Sequence, residues 1–437
     1  MGKPLVAIIG RPNVGKSTLF NRIVRAREAI VEDVPGVTRD RIYREASWDD
    51  REFIVVDTGG IYPEPEDDIT RQTREQSLFA VEEADVIVLL FDAKEGVTEL
   101  DREVVELIRP YNKPVIFGVN KIDSPRGLEL LYDFYSLGIE ELMPLSAATG
   151  YGFDDFMDRL ISLFPEQAEQ KPEEESLPRI AIVGKPNVGK STLVNALSGR
   201  ERMIVSDRPG TTRDAVDTVC KYYGRKYILV DTAGLRRKAR VSYSLERYMV
   251  VRAIRSIDRA DVVVLLIDAL EGITEQDQKI ASLIDRYGKG IILAFNKWDL
   301  VEEPDRRLQE LKRQLQWKLS FISYAPVITL SGLNRKRTTK LFPLVDEIIA
   351  ERNKRIPTAE LNRFKDSLSE NLPTHRGKRV KVFYATQTDT APPAFVFFVN
   401  YPEAFKREYI RYMEKRLREV FGFKGTPVRI YIRERKR

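Results

Sequence analysis

Short apolar runs recur along the chain, most of them closing on a glycine or an acidic residue. VAIIG (6–10) leads through a glycine-rich turn into KSTLFNRIV, which repeats its apolar positions with helical period. REFIVVDTGG (51–60), ADVIVLLFDA (84–93), KPVIFGVNKID (113–123) and a weaker LMPLSA (142–147) follow as strands, with helical patterns such as LDREVVELIRPY (100–111) and FDDFMDRLISLF (153–164) between or after them. Continuous apolar runs bounded by turn residues are the pattern of strands covered on both faces. Alternated with helices they predict an α/β unit of about 160 residues around a mostly parallel, helix-flanked sheet.

The same order then repeats. IAIVG (180–184), KYILVDTAG (226–234), ADVVVLLIDA (260–269) and GIILAFNKWD (290–299) match the first set landmark by landmark, as a tandem duplication would. Between the copies PEQAEQKPEEESLP (165–178) is acidic and has no apolar rhythm, so it reads as a linker. From about 356 the pattern changes to helix–strand–strand–helix–strand, a small α+β domain whose first helix (358–372) has Thr358 as its expected cap. The expected domains are 1–164, the linker 165–178, 179–355 and 356–437.

Charge and composition sharpen this organisation. The 437 residues are 43% hydrophobic and 32% charged, as in a globular chain of several domains. The net charge of +6 is uneven. Residues 356–437 hold 18 Lys or Arg against 9 Asp or Glu, a surplus of +9, and such a basic domain suits a nucleic-acid partner or a solvated basic face equally. The lone Cys220 has no disulfide partner within the chain, no run reaches eighteen apolar residues, and the start lacks a secretory signal. A cytoplasmic location without membrane attachment is expected.

The chemistry lies at the strand ends. GRPNVGKST and GKPNVGKST fit G-x-x-x-x-G-K-[ST] between a strand and a helix, the arrangement in which backbone N–H groups cradle phosphate. The nucleotide-binding residues are therefore Gly10, Arg11, Pro12, Asn13, Val14, Gly15, Lys16, Ser17 and Thr18, and in the second copy Gly184, Lys185, Pro186, Asn187, Val188, Gly189, Lys190, Ser191 and Thr192. Lys16 and Lys190 are expected on the β- and γ-phosphates, with Ser17 and Ser191 on Mg²⁺. NKID (120–123) and NKWD (296–299) select the base. The carboxylates of Asp123 and Asp299 can accept from the ring N–H and the 2-amino group of guanine together, whereas adenine lacks the second donor. Lys121 and Lys297 cover the ring, and Asn120 and Asn296 tie this loop to the phosphate loop. PGVTRD and PGTTRD place Thr38 and Thr212, and DTGG and DTAG place Asp57 and Asp231, around Mg²⁺; Gly60 and Gly234 follow as γ-phosphate sensors. Ser146-Ala147 is the turn that meets the guanine oxygen, and the second copy has Ser331-Gly332 there. Lys16, Thr38, Gly60, Lys190, Thr212 and Gly234 form the expected catalytic set.

These motifs resemble the translation-factor-related GTPases. The duplication with a basic tail is similar to the bacterial tandem-domain GTPase family, over essentially the whole chain. The resemblance implies two G domains of the P-loop NTPase fold, a C-terminal domain of KH-like fold, and GTP hydrolysis with GTP/GDP and Mg²⁺ as cofactors. It also implies nucleotide-dependent action on the large (50S) ribosomal subunit and its rRNA, as a free monomer, with no DNA partner. Two features depart from the common pattern. Ile61 and Leu235 stand where many relatives carry a water-orienting glutamine, and the resemblance implies K⁺ at Asn13 and Asn187 instead. No G-x-x-G joins two helices in the tail, so the ordinary KH grip on RNA is not expected. The rival reading is a GTP-regulated RNA- or protein-binding scaffold with one or both sites non-hydrolytic.

Overall fold

The computed structural model describes residues 3–25, 43–58, 68–165, 177–198, 217–232, 246–368, 372–375 and 378–435. The linker from 166 to 176, Thr38, Gly60, Ile61, Thr212, Gly234 and Leu235 lie outside the described residues, as does most of the segments around them. Two compact units are present, one holding residues 1–169 with 239–255, the other 170–238 with 256–437.

In the first unit β1 (Leu5–Ile9), β2 (Tyr43–Trp48), β3 (Arg51–Asp57), β4 (Val86–Asp92), β5 (Val115–Asn120) and β6 (Leu142–Pro144) form one sheet in the order β2-β3-β1-β4-β5-β6. All pairs are parallel except β2 with β3. The second unit repeats this with β7 (Arg179–Val183), β8 (Thr218–Tyr222), β9 (Arg225–Leu229), β10 (Val262–Asp268), β11 (Gly290–Asn296) and β12 (Val327–Thr329), where only β8 and β9 are antiparallel. β4, β10 and β11 are buried along their whole length, which is why they read as unbroken apolar runs. The edge strands β2 and β8 carry alternating and polar residues and did not stand out in the hydrophobic pattern. Cys220 sits buried in β8, where desolvation pushes its thiol up to about 12.

The tail adds the two-residue strands β13 (Thr374–His375) and β14 (Lys378–Arg379), then β15 (Val382–Asp389), β16 (Ala394–Val399) and β17 (Arg429–Glu434). The last three form a sheet in that order, packed on helices Thr358–Ser367 and Arg407–Phe421. The first helix is shorter than expected, and Pro357 rather than Thr358 occupies its cap position, with no side-chain cap.

The tail docks on the second G domain inside one unit. Gly425 donates its N–H to Tyr324 O at 2.9 Å and accepts at its carbonyl from Ile291 N–H at 2.8 Å. Ala391 N–H donates to Arg352 O at 2.9 Å, and the buried Arg352 guanidinium donates to Gly288 O at 2.6 Å and Ala391 O at 3.2 Å. Main-chain bonds of this kind behave as part of a fold rather than as a wet domain contact. No helix among the described residues is long and apolar enough to cross a membrane.

Candidate nucleotide sites

Each phosphate loop leaves a buried parallel strand and enters a helix, Lys16–Arg25 or Lys190–Ser198. Gly10 and Gly184 have φ of 147° and 152°, and a Cβ on either would fall 2.5 or 2.4 Å from the carbonyl of Leu90 or Leu266. Gly15 and Gly189, at φ 97° and 100°, would strike Asn120 and Asn296 in the same way, so only glycine fits. Asn13 and Asn187 are left-handed, at φ 65° and 58°. Asparagine is among the few side chains that tolerate this region, so backbone geometry alone accounts for it there.

The base loops are tied to these cradles. Asn120 donates from Nδ2 to Val14 O at 2.7 Å and accepts at Oδ1 from Ala147 N–H at 2.8 Å. Asn296 does the same with Val188 O at 2.8 Å and Gly332 N–H at 2.9 Å. One side chain thus joins the phosphate loop, the N-K-x-D loop and the Ser-Ala or Ser-Gly turn in each copy. Lys121 and Lys297 follow at φ 71° and 63°, each ion-paired to the aspartate ending the neighbouring strand, Asp92 or Asp268. A left-handed lysine between two anchored neighbours is a strained feature of the kind found at ligand sites.

The phosphate-facing groups fit a nucleotide with Mg²⁺. Lys16 is buried and donates to Arg11 O at 2.8 Å; burial lowers its pKa to about 8, with Asp57 opposing the shift. Lys190 donates to Gly184 O and Lys185 O, at 2.8 and 2.7 Å. Asp57 is raised chiefly by desolvation, accepts from Ser17, and keeps Oδ1 buried without a hydrogen-bond partner among the described residues. An orphaned carboxylate oxygen beside a serine hydroxyl at a phosphate cradle is a donor set suited to a hard cation. Asp231 stands differently: it follows the end of β9 at φ 56° and accepts from Ser256 at 3.2 Å.

Lys94 and Arg22 were not singled out by the sequence patterns, and Ser146 and Arg11 make contacts beyond those expected of them. Ser146 donates to Asp123 Oδ1 at 2.7 Å, and Lys94 approaches Oδ2 at 3.1 Å; together they hold the Asp123 carboxyl below its ordinary value. Arg22 donates to Ala147 O at 2.6 Å and Ala148 O at 2.5 Å, pinning that turn to the phosphate-loop helix. Arg11 is clamped between Glu95 and Asp101. The acidic residues Asp92 and Asp268 were visible only as the shared ending of LLFDA and LLIDA.

Two glycine cradles, each tied by the asparagine of an N-K-x-D loop to a Ser-Ala or Ser-Gly turn, define a protein with two P-loop GTPase domains. The family profile described as 50S ribosome-binding GTPase matches residues 5–121 and 179–297, and one described as KH-domain-like of EngA bacterial GTPase enzymes, C-terminal, matches 355–433. GTPase Der of Thermodesulfovibrio yellowstonii is 49% identical over 445 residues, covering 99% of both chains. GTPase Der of Heliobacterium modesticaldum is 48% identical over 440 residues, covering 100% of this chain and 99% of its own. The chain belongs to the GTPase Der family. It binds GTP and GDP with Mg²⁺, hydrolyses GTP and acts in assembly of the 50S ribosomal subunit.

Proposed function

We propose that both sites turn over GTP and that their nucleotide states set how the first G domain is placed relative to the second G domain with its tail. In this reading the domains are 1–164, 179–355 and 356–437, with 165–178 as the hinge. The observation that carries it is the duplicated asparagine tie, Asn120 to Val14 O and Asn296 to Val188 O, which makes base reading and phosphate binding one rigid piece in each copy. Lys16, Thr38 and Gly60, and Lys190, Thr212 and Gly234, act on the γ-phosphate; Ser17, Thr38 and Asp57, and Ser191, Thr212 and Asp231, hold Mg²⁺. Asn13 and Asn187 serve a K⁺ that supplies charge where no glutamine stands. The main-chain bonds between tail and second G domain support their moving as one body, rather than the tail being released by GTP. The protein works as a cytoplasmic monomer on rRNA, not on DNA or membranes.

Co-sedimentation with large ribosomal subunits in a GTP analogue, in GDP and without nucleotide tests this. Binding that depends on the nucleotide is expected; equal binding in all three conditions would defeat the switch. Phosphate release faster in KCl than in NaCl is expected, and equal rates remove K⁺ from the scheme.

A further inference from the structure

Among the described residues the C-terminal sheet is packed into a core on one face only. Phe395, Phe397 and Val399 of β16 point into a core shared with Leu361, Phe364, Met413 and Leu417 of the two tail helices. The alternate residues face the other way, as a strand's two-residue period requires. Strand register sets Tyr384, Phe398 and Arg433 in one row across the sheet, and Thr386, Val396 and Tyr431 in the next. Tyr384 and Tyr431 remain 43% and 47% exposed, and the rings of Tyr384 and Phe398 lie 6.2 Å apart, tilted by 33°. The Arg433 guanidinium has no partner among the described residues, and neither do the exposed Arg379 and Lys381 side chains near the same end of the sheet. There the Arg435 guanidinium lies 4.9 Å over the Phe383 ring.

Three aromatic rings left outside a well-filled core, bordered by unpaired cations, suit a ligand with flat apolar faces and an anionic backbone. The tail's surplus of +9 has the sign that phosphate requires. The tail's G-x-x-G, Gly422–Gly425, is committed elsewhere: it joins a helix to a strand, and both main-chain groups of Gly425 bond to the second G domain. A nucleic-acid strand therefore needs another surface. We propose that the open face of β15, β16 and β17 binds an unpaired RNA strand, whose bases stack on Tyr384, Phe398 and Tyr431 and whose phosphates are drawn by Arg433. This rests on the rRNA reading above and names where the contact is made.

The test uses the full chain and a labelled, unstructured RNA of about twelve nucleotides, within the span such surfaces cover. Tyr384→Ala and Tyr431→Ala are each expected to weaken binding about tenfold, while Tyr384→Phe and Tyr431→Phe keep it, because stacking needs the ring and not the hydroxyl. Arg433→Glu should weaken binding and flatten its salt dependence by about one counterion. Unchanged phosphate release shows that each variant is folded. Alanine variants that bind the RNA as well as the wild type overturn the platform, even if subunit co-sedimentation stands. Loss of subunit binding by these variants, with no RNA binding by the wild type, also overturns it and makes the face a protein-docking surface. A wild type that sediments with subunits in no nucleotide state defeats the ribosomal reading itself, whatever the oligonucleotide does.

Discussion

The two nucleotide sites share a backbone and differ in what braces it. In the first, Asp123 is held by Ser146 and Lys94, the Ser146-Ala147 turn by Arg22, and the phosphate loop by Arg11 clamped to Glu95 and Asp101. In the second, Leu270 stands for Lys94, Ala196 for Arg22 and Lys185 for Arg11. Asp299 is exposed without a partner among the described residues, and Ser331 caps Asn334 N–H at 3.0 Å. The turn after Ser331 closes on its own main chain at Lys336, as the turn after Ser146 does at Tyr151, so what the second turn lacks is the arginine that pins it to the phosphate-loop helix. Glycine positions and the asparagine tie, which set the cradle's shape, are kept in both; the polar braces, which set how firmly a formed site is held, are kept only in part, as in Lys185 with Glu271 for Arg11 with Glu95. The Asp123 loop is held by side chains before any ligand arrives, and the Asp299 loop leaves more of that ordering to its ligand.

The phosphate-loop lysines offer the largest way to break the equivalence. Lys16→Ala and Lys190→Ala should each cut phosphate release from its own domain about a hundredfold, the cost of removing one aimed charge from a preorganised site. A variant that leaves total turnover unchanged would show that its domain does not hydrolyse. In the Lys190→Ala chain a pH signature follows. Burial places the Lys16 pKa at about 8, so the nucleotide-free ammonium gives up its proton above that value and a bound triphosphate restores it. The sign is that of a lysine lowered on folding: its contribution to stability is full above the unfolded value and lost as pH falls through about 8. Nucleotide affinity at the first site should therefore fall as pH rises above about 8, with proton uptake on binding, measurable by calorimetry in two buffers of different ionisation enthalpy. Binding without proton uptake there would refute the buried-lysine account.

The brace under the phosphate loop is a smaller lever. Asp101 and Asp277 occupy matching capping boxes, with Thr98 and Thr274 at the helix caps. Arg11 reaches both oxygens of Asp101 at 3.2 and 3.3 Å, whereas Lys185 pairs with Glu271 and leaves Asp277 Oδ1 buried with no hydrogen-bond partner among the described residues. Desolvation accordingly raises the Asp277 carboxyl, against the hydrogen bonds from Thr274. Arg11→Lys should destabilise the first domain by about 1–2 kcal/mol, and Lys185→Arg should stabilise the second by about 1 kcal/mol, read as denaturant midpoints. Because the Asp277 carboxyl is raised, its contribution is full below the unfolded value and lost as pH rises through the folded one. The gain from Lys185→Arg should thus vanish below about pH 4. A gain that persists there would trace it to packing and not to the orphaned oxygen.

Much of this was legible beforehand because its signals are local. Buried parallel strands read as apolar runs, and a cradle that tolerates only glycine reads as G-x-x-x-x-G-K. What escaped was whatever depends on residues far apart in sequence. Arg22 meets Ala147, and Lys94 meets Asp123, only after β1, β4 and β5 are set side by side. The edge strands β2 and β8 escaped because half-exposed positions dilute the apolar signal. The docking of the tail escaped because its bonds join residues far apart in sequence, through main chain at Gly425 and Ala391 and through side chains such as Arg352 and Lys424.

The smallest expected effect sharpens the comparison most, because it lies where the base is read. Lys94 and Asp123 are both solvent-exposed, so their pairing at 3.1 Å is weak and salt-screened, yet it helps fix the carboxylate that the proposed function assigns to guanine. Each carboxylate oxygen has a second lone pair, so the bonds from Ser146 and Lys94 leave room for the base. Lys94→Leu, which copies the second site, should weaken GDP binding at the first by a few-fold, and Leu270→Lys should strengthen the second by a similar factor. Both changes should shrink as salt is raised, since screening acts on the lysine and not on the Ser146 hydroxyl. Equal GDP affinities before and after the exchange, measured at low salt with the other site disabled, would show that Asp123 needs no lysine. The difference between the two guanine sites would then rest on Ser146 and Arg22.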